Sequence, residues 1–348
     1  MPDPVLTAAI DTVASGRHLS VDEAAGVLEV IMAGDASEAQ IAGLLIALRT
    51  KGETVEEIAG LARTMRALAA HVTTSRDELV DTAGTGGGRP TFNVSTTAAL
   101  IAAGAGCAVA KHGNRSATGR SGSADVLEAL GVRIDLSPEA VGACIDELGF
   151  GFMFAPRHHH ATRFVVPVRK ELAVRTIFNF LGPLTNPAGA RRQVVGVSDA
   201  AFVQVIAGAL ALLGADRALV VSSHDGLDEM SISAPTTVVE VDGPDLNSYT
   251  VCPEDCGLTT SPDPQATLGG SPEENAATTR AILAGETGPR RDLAVLNAGA
   301  AIYAAGRADD LADGVAAAQA AIDDGAAART LDALVALTHK HAAQAAPA

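Results

Sequence analysis

The chain has 348 residues, of which 47% are hydrophobic and only 3% aromatic, and it contains no tryptophan. Its formal net charge is −16 with no block of Lys or Arg, which argues against nucleic acid or an anionic membrane as the main partner. The length predicts one large domain or two smaller ones, and the Ala- and Gly-rich composition suits closely packed helices and tight turns in an α/β protein.

The first seventy residues read as short helices. "SVDE" (20–23), "SEAQ" (37–40) and "TVEE" (54–57) are three successive capping boxes, each with a hydroxyl to accept from the third helical N–H and a side chain to reach back. Ile41, Leu44, Leu45 and Leu48 follow the second box with helical spacing, and Ile58, Leu61, Met65 and Leu68 follow the third. From about Leu79 the pattern changes. "ELVDTAG", "CAVAKHG", "GFMFA", "RQVVGV", "RALVVSS" and "TTVVEVDG" read as strands, with helices such as 95–105, 123–131 and 202–214 between some of them. Strand–helix alternation predicts a largely parallel sheet covered on both faces. The segment 245–272 carries no clear pattern, and 309–341 reads as Ala-rich helix.

The N-terminus lacks the basic n-region of a secretory signal, and no apolar run reaches about eighteen residues. The chain reads as soluble and cytoplasmic. Its four cysteines, Cys107, Cys144, Cys252 and Cys256, lack the partners of a zinc site and read as structural.

Chemistry-bearing residues follow three of the predicted strands, and ligands of open α/β sheets bind beyond the carboxyl ends of strands. "GTGGG" and "NVST" (84–88 and 93–96) offer close backbone approach and a helix start, either as a phosphate cradle or as an ordinary tight turn with a cap. They match neither the dinucleotide fingerprint nor the P-loop. "KHGNRSATGRSGSAD" (111–125) places cations, amides and hydroxyls in a Gly-punctuated loop suited to polyphosphate. In "HDGLDEMS" (224–231), Asp228 and Glu229 are hard oxygen ligands of the kind Mg²⁺ takes alongside phosphate oxygens. The segment 158–187 adds Arg163, Arg169, Lys170 and Arg175, of which one arginine can grip a carboxylate by a bidentate pair. Its "HHH" run cannot easily converge on one ion.

In this order and near these spacings, "LLIALRTKGETVEEIAGLARTMR", "GTGG", "NVST", "KHGNRS", "SGSADVLEALG", "VRKELAVRTIFNFLGPLTNP" and "GLDE" resemble the anthranilate phosphoribosyltransferases over nearly the whole chain. The resemblance implies a small N-terminal helical domain, residues 1–76 joined by helices from about 160–188, and a large α/β phosphoribosyl-binding domain, 77–348, with a mostly parallel central sheet flanked by helices. It implies a homodimer in tryptophan biosynthesis that transfers phosphoribose from phosphoribosyl pyrophosphate (PRPP) to the amine of anthranilate, with Mg²⁺ on the pyrophosphate. By the same resemblance Gly84, Gly87, Gly88, Thr91, Asn93, Val94, Ser95, Thr96, Lys111 and Ser123 bind PRPP, and Gly84, Asn114 and Arg169 contact anthranilate. Ser95, Asp228 and Glu229 hold the metal, and His112 lines the pocket. No residue is assigned as a base, because an aromatic amine is already neutral at pH 7.

The chain departs from the family pattern at three places. Gly88 stands where the family has Asp, in a loop one residue shorter. Thr118 and Gly119 replace two serines, and Ala173 replaces a glycine. Competing readings are a paralogue acting on another aromatic amine or acid, a pyrimidine nucleoside phosphorylase, and a non-catalytic nucleic-acid binder. The −16 charge and the intact "GLDE" oppose the last.

Overall fold

The computed structural model describes residues 1–116 and 119–345; Thr118 lies outside them. Four helices open the chain: α1 (Pro4–Ala14), α2 (Val21–Ala33), α3 (Glu38–Lys51) and α4 (Val55–Ala67). Two of the expected capping boxes form in full, at Ser20 with Glu23 and at Thr54 with Glu57. The one at Ser37 is only half formed. Ser37 caps Gln40 N–H, but the Gln40 amide turns away to Asp3, donating to its carbonyl at 2.9 Å and accepting from its N–H at 3.0 Å. A tertiary tie between α1 and α3 has displaced the local cap.

The rest of the chain builds a seven-stranded sheet: β1 (Leu79–Gly84), β2 (Ala108–Gly113), β3 (Phe150–Phe154), β4 (Arg192–Gly196), β5 (Arg217–Ser223), β6 (Thr236–Asp242) and β7 (Asp245–Val251). The spatial order is β3-β2-β1-β4-β5-β6-β7. The first five strands are parallel, while β6 and β7 are antiparallel additions. The edge strand β7 lies in the segment that carried no sequence pattern. Its residues are mostly exposed, so the inward–outward alternation of apolar residues is missing. The helices are α5 (Val94–Gly104), α6 (Ser123–Ala129), α7 (Pro138–Leu148), α8 (Ala155–His158), α9 (Val166–Leu172), α10 (Phe178–Leu181), α11 (Val203–Leu212), α12 (Pro272–Leu283), α13 (Pro289–Ala304), α14 (Leu311–Asp323) and α15 (Ala326–Ala345). The expected single C-terminal helix is therefore two, divided at Asp324 and at Gly325 with φ +75°.

The sheet buries both faces with period two. Val194, Leu219 and Val221 face a core with α5, α13 and α14. Val195, Ala218 and Val220 face the other way, into a core shared with α1 to α4, α11 and residues 165–184. The N-terminal helices thus pack against one face of the sheet through α11. Cys107, Cys144 and Cys256 are buried and all four cysteines are free. Burial pushes the Cys107 thiol up to about 11 and that of Cys144 to about 12, which removes their thiolate chemistry at neutral pH. Among the described residues, no helix is long and apolar enough to cross a membrane.

Candidate active site

Strand order dictates where a crevice opens. From β1 the chain runs outward to β2 and β3, then returns to the other side of β1 to start β4. The carboxyl ends of β1 and β4 therefore form a topological switch point. The residues there, Gly84 and Gly196, are direct partners across the strands. Gly196 has no room for a side chain, and one at Gly84 would displace the Asp228 carboxylate. A Cβ at Gly84 would lie 2.6 Å from Asp228 Oδ2, and one at Gly196 would overlap the Asp228 carbonyl. The loop after β5 folds back over these strand ends and lowers Asp228 and Glu229 into the crevice. A small cavity remains, lined by Thr82, Gly84, Ser95, Asp228, Glu229 and Asn297.

The charges in this crevice are not balanced locally. Asp228 Oδ2 accepts from Gly86 N–H at 2.8 Å, whereas Glu229 Oε2 is buried with no partner. Burial raises both carboxyls above their ordinary range, and the Asp228 charge adds to the rise at Glu229. Lys111 is fully buried beneath them. Its ammonium donates to the Thr82 carbonyl at 2.6 Å, and burial lowers its pKa against the opposing pull of Asp81 and Glu229. Asp81, equally buried, accepts from His112 N–H at 3.1 Å and from Asn186 at 2.7 Å. Lys111 thus stands between two buried carboxyls, Asp81 and Glu229, whose charges favour its ammonium form against burial.

Above the crevice lies the N-terminus of α5, whose first N–H groups have no partners within the helix. Ser95 lines the cavity, and Thr96 Oγ1 is buried without a partner. Asn93 joins neighbouring loops. Its amide donates to Ser121 O at 3.1 Å, and its Oδ1 accepts from Ser121 Oγ and Asn275 Nδ2, both at 2.9 Å. It ties the glycine loop to the 114–122 loop and to α12. Ser123 Oγ likewise bridges Asn114, accepting from its N–H and donating to its carbonyl, both at 3.2 Å. Val94 is buried, and Thr91 O is packed so closely that a Cβ at Gly269 would overlap it.

The glycine loop uses its glycines for distinct reasons. Gly86 and Gly87 have φ +67° and +83°, the left-handed region that Gly adopts without penalty. Gly88 has ordinary φ but no room. A Cβ there would meet Asp228 Oδ1 at 2.7 Å, Asp228 N at 2.9 Å and Gly226 O at 2.9 Å. Arg89 then fastens the loop to the one after β5. Its N–H donates to Gly226 O at 2.8 Å, and its guanidinium pairs with Asp225 at 3.0 Å.

A histidine pair adjoins the site. The His112 and His159 rings are 5.1 Å apart, and each Nε2 is buried without a partner. His112 Nδ1 lies 3.2 Å from Gly182 O. Burial pushes His112 down to about 3 and His159 to about 4, so both rings are neutral. The "HHH" side chains diverge: His158 bonds Ala70 O at 2.8 Å, His159 faces His112, and His160 is exposed. Arg169 sits in the last turn of α9, half-buried, 5.6 Å from the Phe178 ring. Sequence reasoning missed three residues that shape the crevice. Asn297 clamps both polar backbone atoms of Met230, at 3.0 and 2.9 Å; Arg89 and Ser198 hold the glycine loop. Arg175, read from sequence only as one cation among four, joins Ser198 there. The signal for Asn297 was available as a lone amide in the apolar "LAVLNAGAAIYA" helix.

A helical bundle packed on an α/β sheet, with a glycine loop and an acid pair at the switch point, defines a glycosyl transferase. Residues 76–328 match the family model described as "Glycosyl transferase family, a/b domain", and residues 7–69 match its helical bundle domain. Curated relatives named anthranilate phosphoribosyltransferase include that of Moorella thermoacetica, 52% identical over 344 residues, covering 97% of this chain and 100% of the relative. Another, from Haloferax volcanii, is 54% identical over 327 residues, covering 93% and 98%. Among solved structures, anthranilate phosphoribosyltransferase from Thermus thermophilus superimposes with a TM-score of 0.90 at 48% identity, covering 95% of this chain and 99% of that one. The Saccharomyces cerevisiae enzyme in complex with PRPP and Mg has a TM-score of 0.88 at 28% identity, covering 96% and 98%. The chain belongs to the anthranilate phosphoribosyltransferase family.

Proposed function

We infer that the chain transfers the phosphoribosyl group of PRPP to the amine of anthranilate, giving N-(5-phosphoribosyl)anthranilate and pyrophosphate in tryptophan biosynthesis. The observation that carries the reading is the crevice at the ends of β1 and β4. Backbone N–H groups at the start of α5 meet an acid pair there whose Glu229 Oε2 is buried with no partner in the protein.

Mg²⁺ fits this donor set. Asp228, Glu229 and Ser95 would hold it, and phosphate oxygens of the substrate would complete the shell, since among the described residues no cluster of three or more His, Cys, Asp or Glu gathers. The ion, when bound, neutralises charge on the departing pyrophosphate. The protein supplies the rest. The Gly84–Gly88 backbone and the N-terminus of α5 receive phosphate oxygens. Lys111 adds a fixed positive field in a low-dielectric interior, which favours the charge developing on the leaving group as the ribose C1 becomes oxocarbenium-like. Thr91, Asn93, Val94, Thr96 and Ser123 bind PRPP alongside them, and Asn93 and Ser123 also fix the two phosphate loops. Arg169 takes the anthranilate carboxylate, Asn114 and Gly84 flank it, and His112 lines its pocket as a neutral imidazole. The amine is nucleophilic without deprotonation, so orientation against C1 carries the step.

The helical unit, 1–76 with about 160–188, shares a core with α11 and the sheet, which supports treating the site as a cleft between it and the α/β unit 77–348. We take the working enzyme to be a cytoplasmic homodimer, whose subunit number size-exclusion chromatography tests. The reaction is tested by loss of anthranilate fluorescence with PRPP and Mg²⁺. Turnover of another aromatic amine instead would favour the paralogue, and cleavage of thymidine by phosphate would favour the phosphorylase. Arg169→Ala should mainly raise the KM for anthranilate and Asp228→Ala the requirement for Mg²⁺ and PRPP; unchanged kinetics in both would sink these assignments.

A further inference from the structure

Arg175 lies outside the residue set that the family resemblance assigns to the site. It follows α9 and the turn at Ala173, and its carbonyl accepts from the Arg49 guanidinium of α3 at 2.7 Å. Its main chain is therefore held by the helical unit. The side chain crosses to the other side. Nη1 donates to Ser198 Oγ at 3.0 Å, and Ser198 Oγ donates to Gly86 O at 2.9 Å. The guanidinium occupies the place where any side chain at Gly87 would stand: a Cβ there would lie 3.3 Å from Arg175 Cζ and closer still to Nη1.

Two features separate this arginine from an ordinary structural one. Its Nη2 is buried and has no hydrogen-bond partner. Among the described residues no carboxylate pairs with it, although most arginines of the chain have one. Its field nevertheless reaches the acid pair, where it opposes the burial-driven rise at Asp228. An unpaired guanidinium edge, held by Ser198 against the backbone of the glycine loop, is a donor without its acceptor.

We propose that Arg175 is an anion-binding residue of the donor site, its Nη2 edge reserved for an oxygen of the diphosphate that enters between the glycine loop and the 224–231 loop. The planar fork serves Ser198 and the ligand at once, which an ammonium cannot do with the same geometry. Gly87 is then required twice, for its backbone angle and for the space the guanidinium fills. The proposal rests on the reading of PRPP as the donor.

The test uses the full chain, with inorganic pyrophosphate and Mg²⁺ as the calorimetric probe and steady-state kinetics alongside. Arg175→Gln should weaken pyrophosphate binding and raise the KM for PRPP by about 10- to 100-fold, the range of a lost charge-assisted hydrogen bond, while the KM for anthranilate stays within about twofold. Arg175→Lys should regain part of the loss. Ser198→Ala, which removes only the neighbouring hydroxyl, should cost about threefold or less. Wild-type-like pyrophosphate binding by Arg175→Gln overturns the proposal. So does a Ser198→Ala loss equal to that of Arg175→Gln with no recovery in Arg175→Lys, which would mark a latch rather than a ligand. A wild type that binds pyrophosphate through Arg175 yet converts no PRPP with anthranilate would refute the proposed reaction and leave this site standing.

Discussion

Glu229 should destabilise the metal-free protein. One of its carboxyl oxygens is buried without a partner, and its neighbour is another carboxylate. Its folded pKa lies well above the ordinary 4.5, with burial the largest cause and Asp228 the second. A carboxyl raised on folding costs nothing below pH 4.5, where both states are protonated. The cost grows as pH rises toward the folded value, because the unfolded state ionises first. At about 1.36 kcal/mol per pH unit, the ceiling at pH 7 is about 3.4 kcal/mol. The Lys111 charge offsets part of this, so Glu229→Gln should stabilise the metal-free protein by about 1–3 kcal/mol at pH 7. With an unfolding entropy of about 2.1 cal/mol/K per residue, a chain of 348 residues gains about 1.5–4 °C in Tm. The assay is a pair of thermal melts in EDTA at pH 7 and pH 4.5, repeated with Mg²⁺ and pyrophosphate. The variant should melt higher at pH 7, the gap should close by pH 4.5, and added ligand should raise the wild type by RT ln(1 + [L]/Kd) but the variant far less. A variant that melts lower than wild type in EDTA at pH 7 would refute the argument.

The remaining expectations concern the loop, the αL turn and the histidines. Gly88→Ala and Gly88→Asp should both lose about 1–3 kcal/mol, because the first added carbon already meets Asp228 and the Gly226 carbonyl; a wild-type Tm for Gly88→Ala would remove that explanation. Ala173 holds φ 51° and ψ 27°, which costs an L-residue about 1–2 kcal/mol. Ala173→Gly relieves this against an entropy loss of about 0.5–1 kcal/mol, for a net gain of about 0.5–1 kcal/mol in denaturant melts; a loss would show that the turn is not strained. His112 and His159, lowered to about 3 and about 4 by burial, lend stability that is full above pH 6.5 and lost as pH falls toward those values. Their imidazole proton shifts should therefore stay flat from pH 8 to pH 5, and a midpoint near 6.5 would show that water reaches both rings.

What the sequence made legible follows from locality. Capping boxes and helical spacing involve residues within one or two turns, so α2 and α4 were readable in detail. The box at Ser37 failed because Gln40 prefers a partner 37 residues away, which no local rule contains. The five parallel strands announced themselves as apolar runs buried on both faces, whereas β7 is an exposed edge strand with no such run. The site motifs were visible because glycines and acids stand out in an apolar chain. Their division of labour was not. Asn93 and Ser123 read as ligands in one dimension, and the structure adds that they also join loops, while the Lys111 ammonium also bonds a strand carbonyl. The Gly88 departure also changes meaning. In sequence it is a missing acid; in the structure it is the space that admits Asp228.

The distribution of unsatisfied atoms ties these observations to function. Folded proteins leave few buried polar side-chain atoms without partners. Among the described residues there are eleven, and six of them, Arg89 Nε, Thr96 Oγ1, His112 Nε2, His159 Nε2, Arg175 Nη2 and Glu229 Oε2, belong to the crevice or to the loops around it. The donors, on Arg89 and Arg175, flank the glycine loop, where an anion would sit. The carboxylate acceptor lies opposite, where a cation would bridge to that anion. The unpartnered Nε2 atoms of the His112 and His159 rings form a separate pair, and neutral imidazole nitrogens suit an N–H donor rather than a phosphate. A polyanion, a divalent cation and an amine are the three partners that would satisfy the set together, and a phosphoribosyl transfer to an aromatic amine brings all three.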